Sequence, residues 1–294
     1  MTCLVTGGAG FIGSNLTQTL LNEGRTVVCL DTNPHGNWCD GSYNYVGSIN
    51  NTQLLTDLIE RYDVDTIFHM AAKTSIQESI ENPVETIHNN VTGTANVLDV
   101  AKRFGVKKVV FSSTCAMYTS DDLVFDQDEN TWIDCKNPYA LSKHLGEQLC
   151  KSYRDDISIN VLRYFNVYGN GHRVDGAYPP VMAIFIDRYK NDLPLEIVGS
   201  GEQRRDFVNV IDVVRANIMM ADSTIDYGVY NVGFGENHSV KELANMISKT
   251  HIHIDERQGE VKSTLACIDK IKIDLNWSPK ISVQDWIKNE LEIT

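Results

Sequence analysis

Short apolar runs alternate with amphipathic segments over the first 165 residues. CLVT (3–6), TVVCL (26–30), TIFHM (66–70), KVVFSS (108–113) and ISINVLRYF (157–165) read as buried strands. Helical patterns lie between and after them, near 11–23, 50–61, 84–104 and 139–154. Strands rich in Val, Ile and Leu that alternate with helices predict a doubly wound parallel sheet covered on both faces, an α/β architecture. Beyond residue 166 the pattern is less regular. Glycines and prolines cluster at 169–180 and 194–201, and helical segments near 181–191, 211–222, 239–248 and 282–291 alternate with short strands. The expected organisation is a domain over 1–165 and a smaller C-terminal α/β lobe, mainly 166–294, with the chain crossing between them more than once.

Charge narrows the partners. The 294 residues carry 26 basic and 39 acidic side chains, a net charge of −13. A nucleic-acid surface is normally basic, so that partner is not expected. An anionic small molecule remains open where arginines gather locally. Seven cysteines are scattered without CxxC or zinc-type spacing, which points to a reducing compartment and no metal site. A strand-like run begins at Thr2, and no apolar stretch reaches the ~20 residues of a membrane helix. The expectation is a cytoplasmic protein with no membrane partner. His251 and His253 stand in HIH, but without a third ligand they read as a solvated strand face.

Two motifs carry chemistry. In TCLVTGGAGFIGSNL, Gly7, Gly10 and Gly13 follow a strand and open a helix, the arrangement that lets a pyrophosphate approach backbone N–H groups and a helix dipole. Asp31 ends the second strand, 18 residues after Gly13. A carboxylate there accepts hydrogen bonds from ribose hydroxyls and repels a 2′-phosphate, favouring NAD over NADP. In NPYALSKHLGEQ, Pro138 begins a helix and places Tyr139 and Lys143 at i and i+4 on one face. A neighbouring ammonium favours phenolate, which makes Tyr139 a candidate general base.

Together TGGAGFIGS, Asp31, HMAA (69–72), NNVTGT (89–94), FSST (111–114) and YALSK (139–143) resemble the extended short-chain dehydrogenase/reductases. LRYFNVYG (162–169), GEQRRDFVNVIDV (201–213) and ERQGE (256–260) extend the resemblance to their nucleotide-sugar epimerase and dehydratase branch. The resemblance implies a Rossmann domain with tightly held NAD and a substrate lobe. It assigns catalysis to Thr114, Tyr139 and Lys143. It assigns cofactor contacts to Gly7, Gly10, Phe11, Ile12, Gly13, Asp31, Ser48, Ile49, Ala71, Ala72, Asn90, Tyr139 and Lys143. Thr114, Asn166, Arg205 and Arg257 match substrate positions, and Thr264 falls near the residue that gates the sugar pocket. Family members commonly form homodimers through the helices near 84–104 and 139–154.

Departures from the family pattern bear on the reaction. Ser48 replaces an adenine-side Asp, Thr119 a usual Gly, and Ala266–Cys267 a usual Ala-Asp. Sugar 4,6-dehydratases follow the catalytic Thr with Asp and Glu, and decarboxylating relatives keep the Glu. Here the positions hold Cys115 and Ala116. Some family members that act at C3 and C5 use a cysteine acid, but it matches Ala116 rather than Cys115. On a strand, Cys115 then points to the opposite face and reads as a small buried residue. The set that remains suffices for 4-epimerisation of a UDP-hexose, UDP-GlcNAc/UDP-GalNAc or UDP-glucose/UDP-galactose. The alternatives are an NAD-dependent dehydratase or oxidoreductase of the same fold, and a non-catalytic dinucleotide sensor.

Overall fold

The computed structural model describes residues 1–118, 132–172, 179–255 and 261–292. β1 (Thr2–Thr6) leads through a glycine turn into α1 (Phe11–Asn22) and β2 (Thr26–Asp31). Next in the chain are β3 (Tyr43–Val46), α2 (Thr52–Tyr62), β4 (Thr66–His69), α3 (Ile76–Glu81), α4 (Pro83–Ile87) and a π-helical turn (His88–Thr92). Then come α5 (Gly93–Arg103), β5 (Lys108–Thr114), a 3₁₀ turn (Cys115–Met117), α6 (Pro138–Tyr153) and β6 (Ser158–Tyr164). The rest of the chain forms β7 (Asn166–Tyr168), α7 (Val181–Lys190), β8 (Leu195–Val198), β9 (Arg204–Asn209), α8 (Val210–Asp222) and β10 (Tyr227–Val232). It ends with β11 (Asn237–Ser239), α9 (Val240–Ile247), β12 (His251–Ile254), α10 (Asp269–Leu275) and α11 (Val283–Leu291). None of these helices is long and apolar enough to cross a membrane.

The chain forms two compact units: residues 1–117, 134–163 and 214–230, and residues 118–133, 164–213 and 231–294. This differs from a single cut at 165 in giving 118–133 to the second unit and 214–230 to the first. The first unit is built on a seven-stranded sheet of order β10-β6-β5-β4-β1-β2-β3. β1 pairs in parallel with β2 and β4, β2 with β3, and β4 with β5. Strand order therefore reverses beside β1, as in doubly wound nucleotide-binding sheets. Leu4, Val28, Ile67, Val109 and Val161 from five strands share one core with Leu55 and Leu58 of α2 and Val97 and Leu98 of α5. In the second unit, β11-β9-β7 and β12-β8 form small sheets. Tyr168, Phe185, Leu195, Phe207, Leu243 and Ile287 make its core.

Two local features depart from the helix and strand expectations. The segment 84–104 is not one helix, because the π turn interrupts it and buries Asn90. π turns carry an extra residue per turn and re-aim the side chains they hold. β3 offers little apolar pattern, since three of its four residues are exposed.

A buried hydrogen-bond chain ties the sheet to α5. Ala71 N–H donates to Thr6 Oγ1 (3.3 Å), and Thr94 Oγ1 donates to the Asn90 carbonyl (2.6 Å). His69 lies between the two hydroxyls, with Nδ1 2.8 Å from Thr6 Oγ1 and Nε2 3.0 Å from Thr94 Oγ1. Since the Thr94 hydroxyl hydrogen is committed to Asn90, His69 donates from Nε2 and accepts at Nδ1. The ring is neutral: burial pushes its pKa down to about 3, and the charge of Lys143 acts in the same direction.

α6 lies close against β5. A Cβ on Gly146 would meet the Phe111 ring at 2.7 Å. The helix starts where the Asn137 side chain accepts from Ala140 N–H and Pro138 takes the first turn.

Gly146→Val is therefore expected to cost about 1–3 kcal/mol of stability through overpacking, read as a lower urea midpoint. His69 gives a pH signature. Its folded pKa is depressed, so its contribution is present above the unfolded value near ~6.5 and is lost as pH falls toward about 3. Melting temperatures should fall across this range in the native protein and fall less steeply in His69→Gln. Parallel curves would contradict the assignment.

Candidate active site

The loop after β1 is shaped by close backbone contacts. Gly7 has φ +74°, and a Cβ there would meet Ala71 N at 2.8 Å. A Cβ on Gly13 would fall on the Gly7 carbonyl oxygen. α1 therefore starts against the strand end, with Gly10 exposed at its N-terminus and no side chain capping it. Phe11 and Ile12, half-buried, follow in the first turn. Asp31, at the end of β2, accepts from Ala9 N–H (3.1 Å) and Asn33 N–H (2.9 Å). An open helix N-terminus beside a fixed carboxylate fits the pyrophosphate and ribose of a dinucleotide. Ser48 Oγ accepts from Asn50 N–H (3.1 Å), and Ile49 is buried against Gly93. Ala71 and Ala72 follow β4, half-buried.

Asn90 joins these loops to α6. Its Oδ1 accepts from Lys73 N–H (2.8 Å). Its Nδ2 donates to the Lys73 carbonyl and to Ser142 Oγ, both at 2.9 Å. Ser142 Oγ in turn donates to the Tyr139 carbonyl (2.7 Å).

The structure assembles Thr114, Tyr139 and Lys143 at the end of β5. The Tyr139 phenol stands near enough to Thr114 for that side chain to lower its pKa. Thr114 Oγ1 also accepts from Ala116 N–H (3.1 Å). Lys143 Nζ donates to the Ser112 carbonyl (2.7 Å) and lies 4.9 Å from the centroid of the Phe111 ring. Burial pushes the Tyr139 phenol up to about 12, against the lowering effect of the Thr114 side chain. Burial pulls Lys143 down to about 8. In the protein alone, burial rather than a neighbouring ammonium thus sets the direction of the phenol's shift.

Cys115 corrects one expectation. β5 ends at Thr114, and Cys115 opens the 3₁₀ turn. Alternation of faces does not extend to it, and it is half-exposed rather than buried. It is close enough to Tyr139 for a charge on its sulfur to raise the phenol pKa.

In the second unit, Asn166, Arg205 and Thr264 converge on β9. Asn166 Nδ2 donates to the Asp206 carbonyl (3.0 Å), and Asp206 N–H donates to Thr264 Oγ1 (3.4 Å). Thr264 N–H donates to the Arg204 carbonyl, as does an Arg205 guanidinium N–H (2.9 Å). Thr264 is buried and Arg205 half-buried. Arg257, Thr119 and the ERQGE segment lie outside the described residues. Asp206 was not singled out from sequence, though it follows Arg205 directly. Its buried carboxylate accepts from Phe234, Gly235 and Ala266 N–H groups and sits at about 6, raised by burial against those three bonds. His253 Nδ1 donates to the Gly199 carbonyl (2.6 Å), which gives that ring a local bond.

Residues 3–233 match the family model described as the NAD dependent epimerase/dehydratase family. The chain is 36% identical to a putative UDP-glucose 4-epimerase of Methanocaldococcus jannaschii, over 97% of this chain and 95% of that protein. It is also 30% identical to a UDP-N-acetyl-alpha-D-glucosaminuronate decarboxylase of Bacillus cytotoxicus, over 99% and 96%. The crystal structure of UDP-glucose 4-epimerase from Thermotoga maritima with UDP-glucose superposes with a TM-score of 0.94 at 31% identity, covering 100% of this chain and 98% of that one. With a dinucleotide cradle at the sheet's reversal point and likeness along the whole length, the chain belongs to the NAD-dependent epimerase/dehydratase family of enzymes and takes NAD as its cofactor.

Proposed function

We propose that the protein is a UDP-hexose 4-epimerase. The observation that carries this reading is the composition of the β5 end. Thr114, Tyr139 and Lys143 are assembled there, while the next two residues are Cys115 and Ala116. Elimination of water or loss of carboxylate in relatives is tied to an acid at the second of those positions, and alanine moves no proton. A relative named as a decarboxylase shares similar identity, so local chemistry rather than overall likeness supports the choice.

Bound NAD supplies a hydride acceptor and donor at C4. The chain's own groups do the rest. Tyr139 takes the proton of the sugar 4-hydroxyl and returns it. The Thr114 hydroxyl orients both oxygens, and the Lys143 cation offsets the phenolate charge. Asn166, Arg205 and Arg257 grip the nucleotide diphosphate, so the keto sugar is free to turn. Arginine suits this task because its planar fork pairs with phosphate oxygens. An acidic protein needs such fixed cations to hold a diphosphate. Thr264 leaves room for an N-acetyl group, which extends the substrate range to UDP-GlcNAc.

Incubation with UDP-GlcNAc and, separately, UDP-glucose without added NAD should yield the galacto-epimer, read from anomeric proton NMR. A keto product, or no product from either, would overturn the reading. Tyr139→Phe should lower kcat by ~10²–10⁴-fold, the usual worth of a positioned acid–base group, while bound NAD is retained. Thr264→Tyr should lose turnover of the N-acetylated substrate and keep that of UDP-glucose.

A further inference from the structure

α6 meets the end of β5 at three successive turns. Tyr139, Lys143 and Glu147 stand four residues apart on one helix face. Lys143 donates to the Ser112 carbonyl, Glu147 accepts from the Ser113 hydroxyl, and Tyr139 stands near Thr114. Glu147 is held from two strands. Its Oε1 accepts from Ser113 Oγ (2.6 Å) and Arg163 Nε (2.9 Å), and its Oε2 from an Arg163 terminal nitrogen (2.7 Å). Both charged side chains are 4% exposed. Apolar replacements often match or exceed the stability of a buried ion pair. Stability alone therefore does not account for this one, which stands one helical turn beyond Lys143.

We propose that Glu147, locked by Ser113 and Arg163, is a positioning residue for Lys143. It fixes the third turn of α6 on β5 and supplies the negative charge that keeps the Lys143 ammonium protonated. Its consequence for turnover rests on the epimerase reading above; its effect on Lys143 does not.

The charges around Lys143 leave this role to Glu147. Burial drives the ammonium toward its neutral form, to about 8, while negative charge on Cys150 or Glu147 opposes that drift. Burial pushes the Cys150 thiol far up, so it is uncharged where Lys143 titrates. His69, from β4, is neutral in the same range. The Tyr139 phenol is also neutral there, at about 12. Arg163 pairs with the Glu147 carboxylate from β6.

The test is an NMR titration of protein carrying ¹³Cε-labelled lysine, with the Lys143 signal assigned by its loss in Lys143→Arg. In Glu147→Gln the Lys143 midpoint should fall by about one pH unit, the lower end of the effect of one neighbouring charge. Protonated Lys143 is the working form, so the alkaline decline of kcat should move to lower pH by the same amount. Glu147→Gln removes the carboxylate partner of buried Arg163 and is open to misfolding. The double variant Glu147→Gln/Arg163→Met removes both charges of the pair and should show the same direction of shift. An unchanged midpoint in a folded variant, with only a lower Tm, would overturn the proposal and make the pair purely structural. The titration needs no substrate, so an inactive wild-type protein would count against the epimerase reading and leave this test intact.

Discussion

The close seam between α6 and β5 is the constraint on which the candidate site depends. The proposed chemistry requires three side chains from two elements to be held together, and a shift near 1 Å would separate them. Gly146 allows the approach, since any larger residue would press on Phe111. The Lys143 bond to the Ser112 carbonyl and the Glu147 bond to Ser113 then lock the register of the helix along the strand. Asn90 secures the same helix from its other side, through Ser142 to the Tyr139 carbonyl. The π turn matters here because it buries the Asn90 side chain where it reaches both the loop after β4 and α6.

Burial at this seam sets the electrostatics. It pushes Tyr139 up to about 12 and Lys143 down to about 8, so both groups are driven toward neutrality. The phenol is neutral at rest, and the site responds strongly when a further charge arrives, because few waters screen it. A cationic group brought beside the phenol lowers its pKa. The same cation lowers that of the lysine, unless a carboxylate balances it. The neutral His69 ring closes the hydrogen-bond chain from β1 to α5 without adding a positive charge near Lys143. Protonating it would place a second buried cation there.

The sheet was legible where strands are buried on both faces. CLVT and KVVFSS read as strands because they offer the sheet no exposed face, and β5 is buried along its whole length. β3 was not legible, because an edge strand with three exposed residues leaves no apolar alternation to detect. The glycine loop, Asp31, Tyr139 and Lys143 could be found by spacing alone, since each pair lies within one βαβ unit or one helix. Glu147 shared that visibility, four residues beyond Lys143, but its meaning depended on Ser113 and Arg163, which reach it from two other elements. Spacing within a chain segment reports neighbours along a helix. It does not report which distant strand supplies the partner.

The same limit shaped the reading of Cys115. Alternation along a strand would turn it away from Thr114, yet the strand stops at Thr114 and the backbone coils into a 3₁₀ turn. In that turn the Ala116 amide folds back to donate to Thr114 Oγ1, so backbone engages an acceptor position of the hydroxyl that stands near Tyr139. This bond orients the Thr114 hydroxyl whatever side chain occupies position 116. On the proposed reading, an acid at 116 would add a proton-transfer group to the set that removes and returns a hydroxyl proton. Alanine leaves that arrangement unaltered and adds no route for breaking a further bond. On the proposed reading, the backbone of the turn serves the proton transfer at the sugar hydroxyl, and the side chains on it decide whether a second bond breaks.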